Sequence, residues 1–134
     1  MTPEQVREIV RRHRPRGWRV RESRHRYAVQ SALAHWEKRT LYVPTLLDES
    51  ALFIFLHECG HERQRHFHVD LPAHREEFEA EQYAIHVFRS EGIRLPKELL
   101  AAARARVREV IRKDEMRGVE IQLHVRKWAE RCGR

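Results

Sequence analysis

Residues 51–61 read Ala-Leu-Phe-Ile-Phe-Leu-His-Glu-Cys-Gly-His, an apolar run that leads directly into an H-E-x-x-H motif. Asp48 is a good N-cap for this stretch, so we predict a helix from Glu49 to about His66. Because the run is apolar and aromatic on all sides, the helix should be buried. On such a helix His57 and His61 lie one turn apart on the same face.

The spacing of the two histidines suits a metal ion. Imidazoles one turn apart can reach a single tetrahedral Zn²⁺. Glu58, beside the first of them, could take a proton from metal-bound water. The alternative is a helix with two surface histidines, but buried histidines need partners and a metal provides one. Gly60 weakens the helix relative to alanine, which indicates that another helix or the sheet approaches closely there.

A second helix, predicted from Pro72 or Ala73 to about Ser90, carries carboxylates on its apolar face. A carboxylate at a packed interface is costly unless it is paired or bound to a metal. Glu77 would be the third protein ligand of the zinc, and Glu81 could orient a ligand histidine through its other ring nitrogen. The alternative is that both carboxylates pair with arginines across a helix interface. The stripe comprises Glu77, Ala80, Glu81, Ala84 and Phe88.

The chain before the central helix is predicted to form a short helix and a small sheet. Thr2 as N-cap, followed by Pro3 and Gln5, indicates a helix start, and Pro15 with Gly17 would end that helix. Strands so short cannot stand alone and need the central helix to pack on. They are predicted at residues 18–21, 27–34 and 41–43.

The chain after Pro96 is predicted to be mainly helical. Residues 119–128 fit either a strand or a helix, because their apolar positions alternate while Trp128 suits both. The first helix of this part should bury Leu99, Leu100, Ala103, Val107, Val110 and Ile111. Its opposite side should expose Arg104, Arg108 and Arg112 to solvent.

Length and composition favour one α+β domain of 134 residues. We divide it into a basic N-terminal helix with strands (1–47), the metal-site helices (48–92) and a C-terminal helical extension (93–134). The chain has no run of 18 apolar residues and no apolar signal region at its N-terminus, so we expect no membrane span and a cytoplasmic location. The two cysteines do not indicate a disulfide framework, and Cys59 reads as a small buried apolar side chain.

Positive charge is concentrated at the N-terminal end. Residues 1–26 hold nine Arg and three Glu, a net charge of +6 out of +7 for the whole chain. Such a segment could contact nucleic acid or an acidic partner. We favour a solvated arginine-rich surface, because no aromatic interleaving or recognition motif accompanies the charge. Nothing in the sequence indicates the oligomeric state.

Taken together, the two motifs resemble the gluzincin metallopeptidases. His57-Glu58-Cys59-Gly60-His61 and the segment Glu77-Phe78-Glu79-Ala80-Glu81-Gln82-Tyr83-Ala84 are similar to the ImmA/IrrE type, found in phages and mobile elements. The pattern of that type is H-E-x-G-H followed by E-x-E-A-N/D-x-F-A. The resemblance covers about residues 41–92. The family usually has Asn or Asp where this chain has Glu81.

The resemblance implies a small zincin fold, in which a short sheet packs on an active-site helix and a glutamate helix. It implies Zn²⁺ held by His57, His61 and Glu77, with Glu58 as the general base of peptide hydrolysis. A peptide or protein would be the substrate, and a regulatory protein is plausible because the group includes members that act on repressor-type proteins. The oxyanion would need a further donor, for which the candidates are Tyr83, His66, His86 and His35.

Two rival functions remain open at this stage. The chain could be a non-enzymatic zinc protein whose basic surface holds nucleic acid or an acidic partner. It could also be a latent enzyme that is blocked by its own C-terminal segment.

Overall fold

The elements of the fold follow one another as a helix, a small sheet and four further helices. The computed structural model describes residues 1–23, 33–44, 48–64 and 70–131. Within these ranges the chain is mostly helical with one small sheet, which confirms the α+β class. The elements are α1 (Pro3–His13), β1 (Arg19–Ser23), β2 (Leu33–His35), β3 (Thr40–Pro44), α2 (Glu49–Arg63), α3 (Ala73–Ser90), α4 (Lys97–Met116) and α5 (Leu123–Glu130).

The sheet is mixed and has the strand order β1-β3-β2. β1 runs parallel to β3 and pairs Val20 with Leu41, whereas β2 runs antiparallel to β3. Leu41 and Val43 are buried, and β2 and β3 both contact α2. The prediction of a strand over residues 27–34 lies outside the described residues, except for Leu33 and Ala34, which belong to β2.

The predicted start of α1 is confirmed. The Thr2 hydroxyl accepts the amide N–H of Gln5, and the Gln5 side chain accepts the amide N–H of Thr2. This capping box satisfies two backbone donors at the helix N-terminus. Val6, Ile9 and Val10 form the buried stripe by which α1 packs against the central helix α2.

α2 and α3 make the most extensive contact between elements. The Asp48 carboxylate accepts the amide N–H of Ala51 at 2.7 Å, so α2 begins where the capping signal predicted. It ends at Arg63 rather than at His66. A Cβ added at Gly60 would lie 3.0 Å from Cα and O of Ala80. The glycine therefore allows the backbone of α3 to approach, as the sequence indicated.

α4 and α5 pack on α3 and correct two predictions. Arg104 was expected to face solvent, but it is buried, with its guanidinium 5.4 Å from the ring centroid of Trp128. The ambiguous segment resolves into helix α5, because Val125, Trp128 and Ala129 pack toward α4 as a helical stripe. Among the described residues, no helix combines the length and apolar character needed to cross a lipid bilayer.

Candidate metal centre

The three predicted ligands converge between α2 and α3. Nε2 of His57 lies 3.1 Å from Nε2 of His61 and 3.1 Å from Oε2 of Glu77. Nε2 of His61 lies 3.2 Å from Oε1 of Glu77. The close approach of the two helices at Gly60 brings the imidazoles of one helix onto the carboxylate of the other. Of the potential ligands in the described ranges, these three are the group that could share one ion.

The spacing of these candidate ligand atoms suits zinc. Zinc binds imidazole nitrogen and carboxylate oxygen at about 2.0–2.2 Å, so tetrahedral ligands stand about 3.3 Å apart. The observed separations of 3.1 and 3.2 Å are close to that value. Two imidazoles and one carboxylate are also a donor set that zinc accepts in catalytic sites, with the fourth position left open. The residues present therefore fit a zinc ion in their chemistry and in their spacing.

The electrostatics of the cluster favour a cation between the ligands. Burial alone would lower the pKa of His57, but the carboxylates of Glu77 and Glu81 outweigh it and raise the pKa to about 10. Burial would raise the pKa of Glu77, but hydrogen bonds from His57 and His61 hold it well below its usual range. The carboxylate is thus ionised and the site attracts positive charge. A metal ion would compete with the protons on the imidazoles.

Glu81 lies behind His57 and is fully buried. Its Oε1 is 2.6 Å from Nδ1 of His57, an ion-pair contact whose direction departs from hydrogen-bond geometry. Nε and a terminal nitrogen of Arg106 donate to the two oxygens of Glu81, each at 3.0 Å. Burial would raise the pKa of Glu81, but His57 and Arg106 lower it. Glu81 therefore contacts the candidate ligand His57 and also pairs with an arginine.

Glu58 follows the first ligand and is half-buried on α2. Burial raises the pKa of its carboxyl, and the neighbouring carboxylates of Glu77 and Glu81 act in the same direction. The positive charge of His57 and His61 acts against them. A carboxylate whose pKa is raised above its usual value is better suited to accept and return a proton. Its environment therefore agrees with the role of a base.

Two residues beside the site were missed by the sequence reasoning. The Trp36 ring stands edge-on to His61 at 6.4 Å between centroids and is itself packed edge-on against Trp18 at 4.9 Å. Trp36 lies in the β2–β3 turn, where no periodicity points to a contact. Arg106 was not singled out, although a buried carboxylate such as Glu81 does indicate that a cation lies opposite.

Three of the four candidates for the oxyanion donor lie within the described residues. The Tyr83 hydroxyl lies 3.0 Å from Nδ1 of His13, so it is engaged with α1. His86 is exposed and lies about 13 Å along α3 from Glu77 by helix rise. His35 is exposed, and its Nδ1 accepts the amide N–H of Lys38 at 3.3 Å. His66 lies outside the described residues.

Cys59 is not one of the converging groups. It is fully buried, and burial raises the pKa of its thiol well above the usual range. A thiol in that environment stays protonated and is a poor metal ligand. The prediction that Cys59 is a small buried apolar side chain is confirmed.

Comparisons of the chain with family models, with curated proteins and with solved structures found no match.

Proposed function

We propose that this protein is a zinc-dependent metallopeptidase with a zincin-like arrangement, related in its motifs to the ImmA/IrrE type of gluzincin. The observation that supports this most strongly is the convergence of His57, His61 and Glu77. The two Nε2 atoms lie 3.1 Å apart, and they lie 3.1 and 3.2 Å from the two different oxygens of Glu77. The candidate ligands stand on two helices packed closely at Gly60, with the half-buried carboxyl of Glu58 beside them.

Each residue has a distinct part in the proposed reaction. His57, His61 and Glu77 would hold the zinc and leave one position open for water or substrate. Zinc, when bound, would lower the pKa of water to about 7 and polarise the scissile carbonyl. Glu58 accepts the proton of the attacking water and delivers it to the leaving amine. Glu81 holds the ring of His57 in the orientation in which Nε2 faces His61 and Glu77.

The exposure of the ligands indicates the side from which a substrate would enter. The side chain of Glu77 is 28% exposed, whereas those of His57 and His61 are 7% and 12% exposed. Access is therefore easier past Glu77. Trp36 covers part of His61 and offers an apolar wall for a substrate side chain. We propose a peptide or protein substrate, in keeping with the resemblance to peptidases that act on regulatory proteins.

The first test is elemental analysis of protein purified without a metal-affinity tag. We expect one zinc per chain in the wild type, and loss or strong weakening of binding in Glu77→Ala. Glu58→Gln should retain zinc but lose hydrolysis of a peptide library, because it keeps the side-chain shape and removes the base. If Glu58→Gln cleaves the library as well as wild type, the proposed base is wrong.

The low exposure of His57 and His61 also suits a second candidate, a zinc ion that joins α2 to α3 and has no catalytic role. Arg19 and Arg21 are exposed on the edge strand β1 and would then hold nucleic acid or an acidic partner. A zinc-loaded protein that cleaves nothing, but binds DNA in a salt-sensitive manner, would favour this candidate.

A further inference from the structure

Arg106 extends from α4 to Glu81, the carboxylate that contacts the candidate ligand His57. We propose that Arg106 is a positioning residue, which fixes the carboxylate of Glu81 against Nδ1 of His57 and thereby makes zinc affinity depend on the C-terminal extension. This inference rests on the proposed metal site and adds to it a residue outside the H-E-x-x-H and glutamate motifs.

The pairing between Arg106 and Glu81 is two-pronged. Nε of Arg106 donates to Oε1 of Glu81 and a terminal nitrogen donates to Oε2, both at 3.0 Å. A guanidinium is planar and rigid, so two parallel bonds fix the plane of the carboxylate as well as its position. The same Oε1 lies 2.6 Å from Nδ1 of His57. Rotation of the carboxylate would therefore break the arginine pairing and the histidine contact together.

Arg106 is anchored on a second side by the central helix. Its guanidinium carbon lies 5.9 Å from the ring centroid of Phe53, a fully buried residue of α2. The side chain of Arg106 is 36% exposed, whereas that of Glu81 is 0% exposed. The arginine thus covers the carboxylate from solvent and contacts both helices that supply ligands. A lysine at this position would keep the positive charge but could not donate two parallel hydrogen bonds from a planar group.

Removing Arg106 has two effects on zinc affinity, one through charge and one through orientation, and they act in opposite directions. A positive charge near the site repels a divalent cation, so removing it would tighten zinc binding if Coulomb repulsion dominated. Removing the guanidinium leaves the carboxylate of Glu81 free to rotate away from His57. Loss of such a supporting contact typically weakens metal binding about 10- to 100-fold. We infer that orientation dominates, because Glu81 is buried and supported on both of its oxygens.

The experiment compares Arg106→Met and Arg106→Lys with the wild type, using Arg112→Met as the matched control. Arg112 lies on the same helix, is 60% exposed and pairs with Glu109 of its own helix. Zinc dissociation constants are measured by competition with a chromophoric chelator. The visible absorption of the cobalt-loaded proteins reports ligand geometry, which a general loss of stability would not shift.

The proposal predicts that both Arg106 variants bind zinc about tenfold more weakly, with altered cobalt spectra, while Arg112→Met is unchanged. Zinc binding by Arg106→Met as tight as wild type, or tighter, would overturn it. If Arg106→Met does not fold, Arg106→Lys carries the test, and unchanged affinity and spectrum there overturn the proposal. If wild type binds zinc and the Arg106 substitutions leave the zinc affinity unchanged, only this inference is rejected. If wild type binds no zinc, the proposed metal site itself is rejected.

Discussion

Replacing Gly60 by alanine tests whether the close contact between α2 and α3 assembles the site. The new Cβ would lie 3.0 Å from Cα and O of Ala80 and from Cβ of Tyr83, well inside normal carbon contact distances of about 3.5–4.0 Å. Two of these three atoms belong to the backbone and cannot rotate away. We therefore expect α3 to move away from α2 by about 0.5 Å or more.

The net effect on stability has two opposing parts. Overpacking costs about 1–3 kcal/mol, and fixed backbone atoms place Gly60→Ala in the upper half of that range. Alanine in a helix interior returns about 1 kcal/mol relative to glycine. The free energy of unfolding should therefore fall by about 1–2 kcal/mol, a decrease in Tm of about 4–8 °C for a chain of this size. Separation of Glu77 from the imidazoles should also weaken zinc binding, by about tenfold.

The assay combines urea unfolding of the zinc-free protein with a zinc competition titration. The control is Ala105→Gly, which makes the opposite substitution at an exposed position of α4, away from the contact between α2 and α3. It should lose about 1 kcal/mol through helix propensity alone and leave zinc affinity unchanged. If Gly60→Ala is instead more stable than wild type by a similar amount, the helices have room at this point and the reasoning fails.

Two further predictions concern acid stability and metal removal. Nδ1 of His74 lies 2.7 Å from Asp114; burial would raise the pKa of Asp114, but His74 and Arg117 lower it. A carboxyl whose folded pKa is below its unfolded value stabilises the fold above about pH 4 and loses this effect as the pH falls. The Tm of zinc-free wild type should therefore decrease more between pH 6 and pH 3 (about the range over which carboxyls titrate) than that of Asp114→Asn; equal decreases would contradict the assignment. A chelator should lower the Tm of zinc-loaded wild type, because a ligand at about 100 times its Kd adds about 2.7 kcal/mol to the free energy of unfolding. In a parallel thermal scan the chelator should leave the Tm of Glu77→Ala unchanged.

Local signals made much of the fold predictable. The caps at Thr2 and Asp48 act within one helical turn, so the sequence alone identifies them. The three candidate ligands could be grouped because His57 and His61 are one turn apart and a carboxylate on an apolar stripe, Glu77, needs a partner. Their convergence in the structure follows from that requirement.

The features that could not be predicted depend on tertiary contacts. Arg104 and Arg106 flank the apolar stripe of α4, and periodicity does not say which arginine meets a ring or a carboxylate. The helix at residues 123–130 is decided by packing against α4 rather than by propensity. Trp36 contacts the site from a turn, where side-chain direction depends on the sheet register.

The order of the ligands along the chain has a consequence for how the molecule folds. All three candidate ligands come from residues 57–77, so the contacts that would enclose an ion have short sequence separation. Closing so short a loop costs little chain entropy and is fast compared with the docking of distant segments. If the proposed site binds zinc, the pair α2 and α3 would capture the ion before α4 has been added, and Arg106 would then tighten a site already formed. Folding in the presence of zinc should be faster than folding in its absence.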